Sequence, residues 1–168
     1  ETAAKGGRHV DAPPADPKAD RSKPGIELTS SHGRMIEALL ELYTATGDTA
    51  AMLLASRLAE FHLEASTRPD GTVPEYSGYV HTHSLFGTYR GLLMYGQLTR
   101  QRQYIDRVAE TYARTVRTKV FLSGFISHDW GSEQRGETTS PGDAAQLALW
   151  LAQLGYGEFL DDAERIVR

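Results

Sequence analysis

Five sets of apolar residues recur at spacings of 53 and then 55 positions, and this period constrains the fold more than any other feature of the chain. Leu39, Leu92 and Leu147 form one set. The others are Ala51/Tyr104/Phe159, Met52/Ile105/Leu160, Ala55/Val108/Ala163 and Ala59/Tyr112/Val167. A unit this long holds two helices and a turn, and its apolar face is buried only when neighbouring units stack on it. The pattern therefore predicts an all-α chain of three α/α hairpins.

Local signals divide each unit in two. Ile36, Leu39, Leu40 and Tyr43 recur at helical spacing and stop at Gly47, a residue suited to a left-handed helix end, after which Asp48 can cap a second helix. That helix carries Met52, Ala55, Leu58, Ala59 and Leu63, and breaks at Arg68-Pro69-Asp70-Gly71, a turn sequence. The second hairpin runs from about Ser84 to Leu98, turns at Thr99 to Gln101, and returns through Tyr104, Ile105, Val108 and Tyr112. The third enters at Pro141, uses Leu147, Trp150, Leu151 and Leu154 before Gly155, and returns through Phe159, Leu160, Ala163 and Val167. In the linking segments, Val120 to Phe125 is apolar and β-branched enough to predict a short strand.

Composition limits what such a chain does. Its 168 residues and 40% hydrophobic content supply one core, and the net charge of −4 gives no positive field to gather phosphates, so nucleic acid is not an expected partner. No apolar run approaches the roughly 20 residues needed to cross a bilayer, so no membrane partner is expected, and the compartment is left open. The absence of cysteine excludes disulfides and thiolate chemistry within these residues. Residues 1–27, rich in Lys, Asp, Ala and Pro, read as a polar tail or excised loop, and residues 28–168 as the helical unit.

Polar residues gather where the first helix of each hairpin begins: Thr29-Ser30-Ser31-His32, His81-Thr82-His83-Ser84, and Gly136 to Ser140 around Glu137. In a stack of antiparallel hairpins these starts share one rim, so His32, His81, His83 and Glu137 are expected to converge. The long links on that rim add Glu75, Tyr79, His128, Asp129, Trp130 and Glu133. Aromatic plates with carboxylates and imidazoles suit a sugar site, where rings stack on sugar faces and carboxylates move protons. Glu137 is the first candidate for catalysis, with Asp129 and Glu133 as second carboxylates. His32, His81, His83, Glu75, Tyr79, His128 and Trp130 are the candidate substrate contacts. A plainer reading makes Ser31, Ser84 and Thr139 helix N-caps and Glu137 a carboxylate favoured by a helix dipole. His81 and His83 alternate and have no assigned third ligand, so no metal site is expected. Trp150 lies in the periodic stripe and reads as core.

The run HTHSLFGTYRGLLMYGQLTRQRQYIDRVAETYARTV from His81 resembles a segment of the β-L-arabinofuranosidase-like glycoside hydrolases, the DUF1680 group. GETTSPGDAAQLALWLAQLGYGEFLDDAERIVR is similar to that group's Glu-Thr-Cys helix, and HGRMIEALLELYTATGD to its recurrent helix-turn. The resemblance spans about residues 31 to 168. It implies an (α/α)6 toroid, of which three hairpins are half, that hydrolyses glycosidic bonds at its rim. It also implies that Glu137 stands where the family has a zinc ligand and Thr139 where it has a cysteine. A hydroxyl cannot replace a thiolate on zinc, and the family's nucleophilic cysteine would lie beyond Arg168. No cofactor is therefore expected; zinc would have to do without its cysteine ligands.

The expected function is a carbohydrate-active enzyme, or a segment of one, hydrolysing glycosides or oligosaccharides with carboxylates. Its other partner is expected to be the rest of its own toroid. A polysaccharide lyase or sugar epimerase on the same toroid would lean on a His83 or Tyr79 base instead. A non-catalytic repeat module binding carbohydrate or protein needs only aromatic plates and hydrogen bonds.

Overall fold

The computed structural model describes residues 32–74, 80–120, 122–128, 130 and 136–168. Helix α1 (Met35–Thr46) ends at Gly47, whose φ of 74° turns its N–H onto the Tyr43 carbonyl at 2.7 Å. Asp48 Oδ1 then accepts the N–H groups of Ala50 (2.8 Å) and Ala51 (3.3 Å), capping α2 (Thr49–Ala65). The Pro-Asp-Gly turn closes with Gly71 N–H on the Arg68 carbonyl and Thr72 N–H on Asp70 Oδ1, both at 3.0 Å. Helix α3 (Thr82–Thr99) reverses at Arg100, which adopts a φ of 57°, into α4 (Arg102–Thr111). A π-helical turn (Tyr112–Val116) carries α4 into the short α5 (Arg117–Lys119). Helix α6 (Thr139–Gln153) holds Pro141 in its first turn, where a missing N–H costs nothing. A 3₁₀ turn (Gly157–Phe159) leads into α7 (Leu160–Val167).

The first helices of the three hairpins, α1, α3 and α6, lie side by side as an inner row, and their partners pack behind them. α3 is the middle of this row and is buried on most sides, with Leu85, Phe86, Tyr89, Leu92 and Leu93 at 0 or 1% exposure. Full burial of a Leu such as Leu92 or Leu147 contributes about 1.5–3 kcal/mol. α1 approaches α3 so closely that a Cβ on Gly91 would lie 2.7 Å from Ile36 Cβ. Arginines join the outer helices: Arg107 Nη1 donates to the Leu63 carbonyl at 3.2 Å, and Arg117 Nε lies 2.7 Å from Asp162 Oδ2. No helix among the described residues is long and apolar enough to cross a membrane.

Two local expectations are corrected. No strand forms from Val120 to Phe125 among the described residues, where Leu122 and Ser123 make a turn and Gly124 takes a φ of 77°. Val120 and, just past the segment, Ile126 are buried in the helical core, whereas Leu122 and Phe125 are exposed. Ser84 and Thr139 are not N-caps either. His81 and Thr138 occupy those positions without side-chain caps, which places both hydroxyls inside the first turn and frees them for other bonds. Ser31 lies outside the described residues.

Candidate functional site

Because α3 and α6 are neighbours in the inner row and point the same way, the residues that open them meet on one rim. The link between the second and third hairpins is pinned there by its backbone. Thr82 N–H donates to the His128 carbonyl and Trp130 N–H to the Val80 carbonyl, each at 2.9 Å, so the His128 segment runs along the approach to α3. An antiparallel bridge between Ser127 and Gly136 brings the end of the link back beside the His128 segment. His81, His128 and Glu137 are thereby set together from three separate stretches of chain.

Their side chains form one polar group. His81 Nε2 lies 2.7 Å from Glu137 Oε2, and His128 Nε2 lies 3.2 Å from the same oxygen. The two imidazole centroids are 4.5 Å apart, and the His83 ring is 5.5 Å from that of His81. Thr139 donates its hydroxyl to Glu137 Oε1, and Ser84 Oγ sits 3.2 Å from His81 Nδ1. The hydrogen bond from His81, then that from Thr139, hold the Glu137 carboxyl below its ordinary pKa, with the nearby imidazoles adding to the effect and partial desolvation opposing it. Glu137 is thus a carboxylate at neutral pH, fit to accept a proton, attack, or face a cation, and poorly suited to donate a proton. His81, His128, Gly136 and Glu137 line an open recess, so the group is reachable from solvent.

A second network ties the inner row together beside it. His83 Nδ1 pairs with Asp143 Oδ2, and Asp143 Oδ1 pairs with Arg90 Nη1. Arg90 Nε reaches Glu37 Oε2 at 3.1 Å, and Arg34 Nη2 lies 3.2 Å from His83 Nε2. The bonded geometry suits a His83 ring with its proton on Nδ1 towards Asp143 and Nε2 accepting from Arg34. Further along the same face, Glu37, Glu41, Met94, Gln97, Trp150 and Gln153 line a cavity of about 370 Å³.

Of the residues expected on the rim, Glu137, His81, His83 and His128 come together. Trp130 is half-buried, with its ring edge-on to core Phe86 at 5.9 Å, so much of its surface goes to packing. His32 is exposed and acts on the buried His62 through its charge, and Arg34, two residues on, is what reaches His83. Asp129, Glu133, Glu75 and Tyr79 lie outside the described residues. Sequence reasoning passed over Asp143, Arg90, Glu37 and Arg34. The available signal was an ionisable residue at the inward helical positions, Asp143 four residues before Leu147 and Arg90 between Tyr89 and Gly91.

Paired inner and outer helices stacked in sequence define a segment of an α/α toroid, with three hairpins present. No family model and no curated protein matches the chain. Among solved structures it is similar to unsaturated glucuronyl hydrolase, responsible for the degradation of glycosaminoglycan, from Bacillus sp. GL1, with a TM-score of 0.63 and 15% identity over 79% of this chain and 43% of that one. A second solved structure, of UGL with dGlcA-Glc-Rha-Glc, gives the same TM-score of 0.63, identity of 15% and coverages of 79% and 43%. The chain therefore spans less than half the length of the structures it matches, and the likeness is one of fold.

Proposed function

We propose that the chain is part of a carbohydrate-active enzyme that hydrolyses glycosidic bonds at the rim formed by the start of α3 and α6. The observation that carries the reading is the convergence of His81, His128 and Glu137 on one solvent-facing recess of an α/α toroid. The similarity in fold to a glycosaminoglycan-degrading hydrolase supports a carbohydrate substrate, and the resemblance at HTHSLFGTYRG and GETTSPGD supports a β-L-arabinofuranosidase-like glycosidase in particular. In this reading Glu137 works as the anion: it takes a proton from water, attacks the anomeric carbon, or stabilises the oxocarbenium-like charge that develops there. The proton for the leaving oxygen comes from one of the second carboxylates, Asp129 or Glu133. His83, Trp130, Glu75, Tyr79 and His32 remain candidate sugar contacts.

One observation favours a second reading. His83 is oriented by Asp143 through Nδ1, which sets Nε2 to take a proton once a substrate displaces the Arg34 guanidinium that faces it at 3.2 Å. A lyase or epimerase would use that nitrogen as its base. The discriminating experiment is a panel of aryl glycosides and oligosaccharides, uronates included, assayed for turnover and for binding with the chain and its Glu137→Gln variant. Turnover lost with binding retained supports hydrolysis through Glu137. Turnover that survives Glu137→Gln but not His83→Gln selects the lyase or epimerase, and binding without turnover selects a non-catalytic module.

A further inference from the structure

We propose that His81, His128 and Glu137 form a binding site for a borderline divalent cation such as Zn²⁺ or Co²⁺, unlike the cysteine-ligated zinc implied by the family resemblance. The cysteine set does not fit these residues: Thr139 stands where the resemblance puts a cysteine ligand, and its hydroxyl is already committed to Glu137 Oε1. The imidazole set does fit. One ligand atom from each of His81, His128 and Glu137 lies within 4.8 Å of the other two, and two of the three separations are 2.7 and 3.2 Å. Ligands about 2.0–2.1 Å from a tetrahedral metal stand about 3.3 Å from one another, so shifts on the order of 1 Å would seat an ion among these atoms.

The surroundings are those of a ligand set held in place. His81 closes the N-terminal end of α3 with Nδ1 towards Ser84 Oγ, and Glu137 Oε1 is held by Thr139, so the outer atoms of two ligands already have partners that fix their direction. His128 is fixed through its carbonyl to Thr82 N–H at 2.9 Å. Two imidazoles and one carboxylate favour zinc, cobalt, nickel or iron over magnesium and calcium, which take oxygen ligands. All three side chains are half-buried around an open recess, leaving a further coordination position for water or a substrate oxygen. A cation bound there would supply Lewis acidity at that position.

The inference does not depend on the glycosidase reading, since cation binding is measured without turnover. The experiment strips the purified chain with chelator and titrates it with Co²⁺, following the visible d–d bands. Zn²⁺ competition and elemental analysis after gel filtration complete it. One ion per chain is expected, with cobalt bands of four- or five-coordinate intensity that Zn²⁺ abolishes. His81→Ala, His128→Gln and Glu137→Gln are each expected to weaken binding at least about tenfold, while Asp161→Ala on the exposed face of α7 leaves it unchanged. Variants are compared by helical circular dichroism, and His128→Gln, which changes a residue outside the helices, keeps the test informative if a helix-terminal variant misfolds. No saturable uptake, or uptake that survives His128→Gln and Glu137→Gln, would overturn the assignment.

Discussion

His83 on α3 pairs through Nδ1 with Asp143 on α6, a residue 60 positions further along the chain, and so links two helices of the inner row by a side-chain bond. Asp143 is buried to within 8% and its other oxygen takes Arg90, which in turn reaches Glu37 on α1. Three helices thus share one ionic network centred on a single carboxylate.

Removing that carboxylate strands its partners. Asp143→Ala leaves the mostly buried Arg90 with Glu37 alone and His83 without its orienting acceptor, so the expected loss is about 3 kcal/mol, the range for breaking a buried pair. Glu164→Ala is the contrast, because the Arg168–Glu164 pair is more than half exposed on both sides and is expected to contribute less than about 1 kcal/mol. Urea unfolding of the two variants beside the parent chain measures both; equal losses would refute the network's role.

The pH dependence of stability is expected to be dominated near neutrality by His62. It is fully buried at the end of α2, with Nδ1 2.8 Å from Ser66 Oγ and Nε2 without a hydrogen-bond partner among the described residues. Burial, and secondarily the charge on His32, lower its pKa from 6.5 to about 4. Between those values the unfolded chain binds the proton and the folded chain does not, so the contribution is complete above pH 6.5, falls with pH, and levels off below about 4. At about 1.4 kcal/mol per pH unit, the loss across that window is roughly 3 kcal/mol. Denaturation midpoints at intervals from pH 4 to 7.5 in the parent and His62→Gln separate this from carboxylate titration: the difference between the two curves should narrow as pH falls, and parallel curves would refute it.

How far the sequence revealed this arrangement depends on whether the signal was local. Gly47, Asp48, the Pro69-Asp70-Gly71 turn and the apolar sets depend on neighbours within a few residues, and each appears where periodicity and turn chemistry put it. Val120 to Phe125 failed because β-branched residues signal burial as readily as pairing, and no strand lies beside them among the described residues. The repeat put Glu137, His81 and His83 on one rim, since equivalent helix starts must meet. That His128 bonds to Glu137 depends on the path of a non-repeating link, and the Asp143–Arg90 pair on which inward position of α3 faces which of α6. Neither is set by local pattern. The same reasoning explains why capping was over-read for Ser84 and Thr139: they sit three residues and one residue past their N-caps, where each hydroxyl becomes a partner for His81 or Glu137 instead.

Close packing within the inner row and turn strain between its helices are separable in two glycines. Gly91→Ala would place a methyl 2.7 Å from Ile36 Cβ and 3.2 Å from the Glu37 backbone nitrogen, and since a backbone atom cannot step aside, α1 must move off α3. Overpacking of this kind costs about 1–3 kcal/mol and would also displace Glu37 from Arg90. Gly47→Ala meets no atom within 4 Å, so its cost is only that of holding a Cβ at a φ of 74°, about 1–2 kcal/mol. The two changes should therefore differ in kind as well as in size. Gly91→Ala is expected to be non-additive with Glu37→Ala in a double-mutant cycle, because both act on the α1–α3 contact, whereas Gly47→Ala is expected to add to Glu37→Ala within about 0.5 kcal/mol. Additivity in both cycles would show that α1 does not shift at Gly91 and would remove the close approach as the element that sets the register of the inner row.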